Sequence, residues 1–185
     1  MGGTVLKIIS LVILCILGLA ACVSQDADRQ AASQPPAAAV ETEVSTDREH
    51  IVGQTIYVPI YSHIYTGNKT RTINLAATLS VRNTDAQNPI WLNSARYYGT
   101  NGELLKEYVP KPLLVGPMAS TDFVVEEQDT TGGAGANFIV EWSASSDVTP
   151  PVVEAVMIST AIQQGISFVS MGRVLKNQPA LPAVK

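Results

Sequence analysis

The chain has 185 residues, room for one domain with attached segments, and its 46% apolar and 15% charged residues exclude disorder throughout. The formal charge is −4 and no run of five basic residues occurs, which argues against nucleic acid as a partner, because phosphate neutralisation needs clustered Lys and Arg. Both cysteines, Cys15 and Cys22, fall within the first 22 residues, so the remainder has no disulfide framework and no thiolate metal site.

The N-terminus has the form of a secretion signal. Lys7 precedes the apolar run Ile8 to Gly18, and the run ends by Val23, short of the roughly 20 residues a spanning helix needs. Leu19-Ala20-Ala21-Cys22 resembles a lipobox, the processing motif of bacterial lipoproteins. The resemblance implies cleavage before Cys22, diacylglyceryl on its thiol, and a palmitate-class acyl group on the amine that cleavage exposes. At about 0.8 kcal/mol per buried methylene, chains of that kind make a stable anchor. Val23, where an Asp would signal retention, favours the outer membrane over the inner under the enterobacterial sorting rule, with the domain facing the periplasm or the cell exterior. Loss of Lys7 with residues 1–21 takes the formal charge to about −5.

Residues 22–49 carry Gln, Ala, Ser, Asp and Pro, including Gln34-Pro35-Pro36, with no apolar period. They read as a flexible tether with a random-coil reach of roughly 30 Å. Residues 50–174 follow as a β domain, and residues 175–185 read as a flexible tail.

Within the domain, apolar residues recur at every second position. The stretch Ile56 to Tyr65 places Ile56, Val58, Ile60, Ser62 and Ile64 on one side, and Tyr57, Pro59, Tyr61, His63 and Tyr65 on the other. Pro59 cannot donate to a ladder, which favours an edge position. From Thr72 to Arg82, Ile73, Leu75, Ala77, Leu79 and Val81 share one face, and Asn83-Thr84-Asp85 supplies turn chemistry. Ile90–Tyr98 and Glu103–Tyr108 flank Asn101-Gly102, a hairpin signal with two positions suited to positive φ. Pro112–Val115, Thr121–Glu126, Phe138–Ser143, Val152–Ser159 and Ile166–Ser170 complete the strands, and Ala161–Gln164 suits a short turn. Seven to nine short strands indicate an all-β, immunoglobulin-like antiparallel sandwich, with a small β-barrel as the alternative.

Two stretches are candidate sites. Tyr57, Tyr61, His63 and Tyr65 form a candidate binding face, since tyrosine joins a large ring to a polar tip; the same rings can instead pack across neighbouring strands. Gly132-Gly133-Ala134-Gly135-Ala136-Asn137 lacks the Lys-Ser/Thr of a phosphate loop and leads into a strand. It reads as a mobile loop or tight connection in which Gly132, Gly133, Gly135 and Asn137 shape a rim.

Catalytic and metal chemistry find little footing. Asp122, Glu126, Glu127 and Asp129 form the densest acidic group, but alternation separates Asp122 and Glu126 from Glu127, and no calcium-loop spacing is present. No metal site, cofactor or catalytic residue is assigned. Glu141 and Glu154 sit in apolar strands, where Arg96 or Arg173 would pair with them. No nucleophile elbow or zinc-protease motif occurs.

Three segments, Gly53 to Tyr65, Asp129 to Phe138 and Gln164 to Ser170, resemble the bacterial family catalogued as domain of unknown function 3124, over roughly Gln54 to Val174. The resemblance implies a secreted bacterial protein and carries no catalytic residue. The sequence thus points to a non-enzymatic binding or assembly module of the cell envelope. Its partners would be the membrane, through the lipid, and another envelope protein or a glycan. An envelope hydrolase using paired carboxylates is the alternative, and a purely structural envelope protein is a third reading.

Overall fold

The computed structural model describes residues 52–160 and 165–178. The signal, Cys22, the tether and the turn expected at Ala161–Gln164 lie outside the described residues.

The described chain forms two antiparallel sheets and a separate hairpin. Strand β1 (Val52–Pro59) leads into the hairpin of β2 (His63–Thr66) and β3 (Asn68–Asn74); β4 (Ala76–Arg82) and β5 (Ile90–Tyr98) follow. Next come β6 (Leu104–Glu107), β7 (Leu113–Val115), β8 (Ser120–Val125), β9 (Asn137–Ala144), β10 (Val152–Ser159), β11 (Ile166–Met171) and β12 (Arg173–Gln178). The larger sheet has the order β12-β1-β9-β5-β6, with β7 also on β5; the smaller has the order β11-β10-β4-β8. The sheets do not close on one another, so the fold is a β-sandwich and not a barrel.

Alternation places the core between the sheets. Ile56 and Val58 of β1, Leu92, Ala95 and Tyr97 of β5, and Phe138, Val140 and Trp142 of β9 face Ala77, Leu79 and Val81 of β4 and Ala155 and Met157 of β10. Burying side chains of this size stabilises by roughly 1.5–3 kcal/mol each before entropy is counted. Two features close the sides of the sandwich. On one side Tyr108, after β6, packs on Phe123 of β8 and Phe138 of β9 and donates its hydroxyl to the Val124 carbonyl at 2.9 Å. On the other, the chain crosses from the smaller sheet to the larger at Gly172. A side chain there would meet Ile56 Cγ2 and the Val153 carbonyl at 2.7 Å, so only glycine fits the corner.

Several sequence expectations are corrected. Thr72–Arg82 is not one strand: β3 ends at Asn74, Leu75 is a buried pivot, and β4 enters a different sheet. Alternation continues across the break because Leu75 must reach the core whichever partners its neighbours have. Pro59 belongs to an interior strand. Ile60 donates to the Ala136 carbonyl, so the neighbouring position turns toward β12, whose pairing stops at Tyr57. The missing donor therefore breaks no ladder bond. In the β5–β6 turn Gly102 alone has positive φ, and a Gly99–Gly102 turn followed by a register shift replaces the two-residue connection. The tail expected from residue 175 is instead strand to Gln178, paired with Gly53, Gln54 and Thr55. Glu141 does pair with Arg96, whereas Glu154 takes Arg82 at 3.4 Å.

One end of the sandwich is tied by Asn83, which is 2% exposed. Its amide donates to the carbonyls of Asn88, Val115 and Gly116 at 2.9, 3.2 and 2.9 Å, and its oxygen accepts from the Asp85 N–H at 3.0 Å. The Asp85 carboxylate then accepts from the N–H groups of Gln87, Asn88 and Thr149, which hold it down at about 2. Three loops share this knot. Val52, paired with Ala144, lies at the same end.

Candidate functional site

The loops at the other end hold both candidate stretches. Strands of eight residues separate the ends by roughly 25 Å. Ile60 donates to Ala136, Ser62 to the Gly133 carbonyl and Leu75 to the Ser62 carbonyl, so the chain leaves β1, passes the glycine loop and returns with the β2–β3 hairpin projecting between. Gly67 turns the hairpin with φ +76°, and Asn68 accepts from the N–H and hydroxyl of Thr70.

The tyrosine face is divided by the break after Pro59. Tyr57 stays in the larger sheet beside Ile139 and Arg173. Tyr61 lies edge-on to Phe168 of β11, with ring centres 5.9 Å apart. His63 and Tyr65 belong to the hairpin, opposite Asn74 and Thr72, and their rings meet edge to face at 5.4 Å. Tyr65 is 50% exposed, and it is the ring of this set most open to a ligand.

The glycine loop is a packed connection. Gly133–Gly135 makes one 3-10 turn, and Asn137 begins β9. The Thr100 hydroxyl donates to the Gly132 carbonyl at 2.8 Å and accepts from the Gly135 N–H at 2.9 Å. A Cβ on Gly132 would stand 2.0 Å from the Tyr97 hydroxyl, so this glycine is a lid over a core side chain. Gly133 has φ +76° and passes close to Thr100. These residues are committed to packing. The N–H groups of Gly133 and Gly135 are taken by the Thr130 carbonyl and the Thr100 hydroxyl, whereas a phosphate loop keeps such groups for its ligand.

Beneath that lid Tyr97 is 1% exposed, and its hydroxyl has no hydrogen-bond partner among the described residues. Burial, then the charge of Asp129, pushes its phenol up to about 12, and burial with Asp129 and Glu126 raises Tyr108 as well.

A shallow groove of about 810 Å³, open to solvent, runs between the hairpin and the segment after β8. Thr66, Thr70, Thr72 and Asn74 line it together with Arg71, Glu127, Gln128 and the apolar Ile73. Glu127 accepts from the Ser159 hydroxyl at 3.0 Å, while Asp129 turns to Thr131. The acidic residues therefore do not gather, and no group of three metal-binding side chains occurs among the described residues. Sequence reading missed this lining. The available signal was Thr66-Gly67-Asn68, a turn between two alternating stretches of which the second carries Thr70 and Thr72.

A scan against protein families matches residues 53–175 to the family described as Protein of unknown function (DUF3124). The chain belongs to this family. No curated protein and no solved structure matches it. The DUF3124 match takes in both sheets as far as Leu175, the hairpin and the glycine loop. Within this DUF3124 domain the groove offers hydroxyls, amides, Arg71 and Glu127, and the exposed phenol of Tyr65 stands opposite Thr72 on the same hairpin. That surface can exchange many hydrogen bonds with a polar ligand, but it presents no nucleophile with an adjacent base.

Proposed function

We propose that the protein is a lipid-anchored binding module of the bacterial cell envelope, and that the groove beside the β2–β3 hairpin takes a polyhydroxylated ligand of the glycan class. The observation carrying this reading is position: the Thr-, Asn- and Gln-lined groove and Tyr65 lie at the end opposite Val52, where the tether would join. A ligand-binding end turned away from the anchor suits display. Hydroxyl and amide side chains match sugar hydroxyls as donors and acceptors, and an exposed ring gives a sugar face an apolar platform. The paired-carboxylate alternative draws no support from the groove, where Glu127 is the one carboxylate of the lining.

The full chain is assayed for retention on insoluble peptidoglycan and on a panel of envelope polysaccharides. Retention on at least one, weakened about tenfold or more by Tyr65→Ala with Thr72→Val and unchanged by Leu104→Ser in the β5–β6 hairpin region, is the expected result. Equal retention of all three proteins would refute the assignment of the groove. The anchor is tested separately: Cys22→Ser moves the protein from the membrane fraction to the soluble one, and mass spectrometry of the native chain finds residue 22 acylated.

A further inference from the structure

The sandwich has four lateral edges, and three carry features that discourage another strand. The far edge of the larger sheet is split into β6 and β7, of four and three residues, with Pro110 and Pro112 between them. Strand β8 bears Asp122, and its Val124 carbonyl is occupied by the Tyr108 hydroxyl. Strand β12 carries Arg173 and Lys176. Short length, proline and charge are the usual means of keeping sheet edges from joining.

Strand β11 has none of these. Ile166-Ser167-Phe168-Val169-Ser170-Met171 contains no charge and no proline, and among the described residues it pairs only with β10. Alternate residues therefore turn their N–H and C=O groups away from the sheet, and no strand among the described residues receives them. Val169 and Met171 are 56% and 57% exposed. They continue across the outer face into Val156 and Glu154 of β10, in a register that puts Val169, Val156, Thr78 and Val124 in one row.

We infer that β11 is the self-association edge of this protein, and that a second copy pairs with it antiparallel about a two-fold axis to join the two smaller sheets into one of eight strands. The occupant is a second copy because of charge. A two-fold pairing sets a strand against its own sequence, so a charged residue near the axis meets its like, and β11 is an edge that avoids this entirely. The pairing also extends the apolar row by the same row of the partner. This inference is independent of the groove, which lies at the end of the sandwich and not along this edge.

The test is the mass of the full chain in mild detergent, by sedimentation equilibrium over a concentration series, with hydrogen exchange read by mass spectrometry. A monomer–dimer equilibrium is expected, with slow exchange of residues 166–171 in the dimer. Val169→Lys, at an exposed position that leaves the core intact, weakens dimerisation about tenfold or more and releases that protection. Leu175→Lys, on the β12 edge, leaves both unchanged. A wild type that stays monomeric throughout would overturn the inference. So would a dimer that Val169→Lys leaves intact, or a monomer whose β11 amides are already protected by another segment of its own chain.

Discussion

Replacing Asn83 tests the claim that one buried amide holds an end of the sandwich together. The side chain donates to three carbonyls and accepts from one N–H, and with two amide hydrogens one donation is shared. Asn83→Ala removes about three effective bonds and leaves their partners in a site that is 2% exposed. At about 1 kcal/mol net for each bond, with a further penalty for a carbonyl left dry, the loss is about 3–4 kcal/mol, a large share of the 5–15 typical of a domain. In urea, with a slope of about 2 kcal/mol/M, the unfolding midpoint falls by roughly 2 M at constant slope. Asn83→Asp is the sharper probe, because it keeps the shape and turns a donor into an acceptor aimed at three carbonyl oxygens. At pH 7 it is therefore less stable than Asn83→Ala. Should the Asp variant equal or exceed the Ala variant, the amide is not the tie described here.

Three further expectations concern the same framework. Gly132→Ala forces a methyl group against the Tyr97 hydroxyl and destabilises by about 2 kcal/mol or more, and Tyr97→Phe in the same chain recovers part of the loss, a coupling measured by a double-mutant cycle in urea. Because the folded state holds Tyr97 up at about 12 against 10 unfolded, stability is full below pH 10 and declines as pH rises from 10 through 12, by about 3 kcal/mol. Tyr97→Phe flattens that alkaline limb, leaving the smaller share from Tyr108. Asp85 has the opposite sign: its folded value is depressed, so its contribution is present above pH 4 and is lost as pH falls through about 2. Asp85→Asn flattens the acid limb of the unfolding curve.

The fold class was legible because burial alternates with period two wherever a strand has one face in the core. Val152–Ser159 was readable to its ends for that reason, whereas Ile90–Tyr98, buried at Ile90, Trp91 and Leu92 in succession and bulged before Ser94, was bounded by the turn residues on either side. Partnership was not readable. Leu75 and Ile60 keep the alternating pattern while the chain changes sheets beside them, so periodicity joined β3 to β4 and β1 to β2. Strand β12 escaped notice because all its residues are exposed, and its place is fixed by pairing to β1 rather than by burial. Tyr65 and His63 were singled out by residue type alone, whereas the Thr66–Asn74 lining depends on where the hairpin projects, which local sequence does not encode. The glycines at 132 and 133 read as a mobile loop or a tight connection, and the choice between the two was not local. Their purpose is set by Tyr97 and Thr100, some thirty residues earlier in the chain.

The position of β1 also governs how the domain answers a pull. Eight residue pairs bind it to β9 on one flank and five bind it to β12 on the other, all antiparallel to its axis. Tension arriving through the chain before Val52 therefore acts along an interior strand and must shear both ladders together, where an outer strand would peel away one bond at a time. The fold resists extraction from that terminus in the way a lap joint resists sliding.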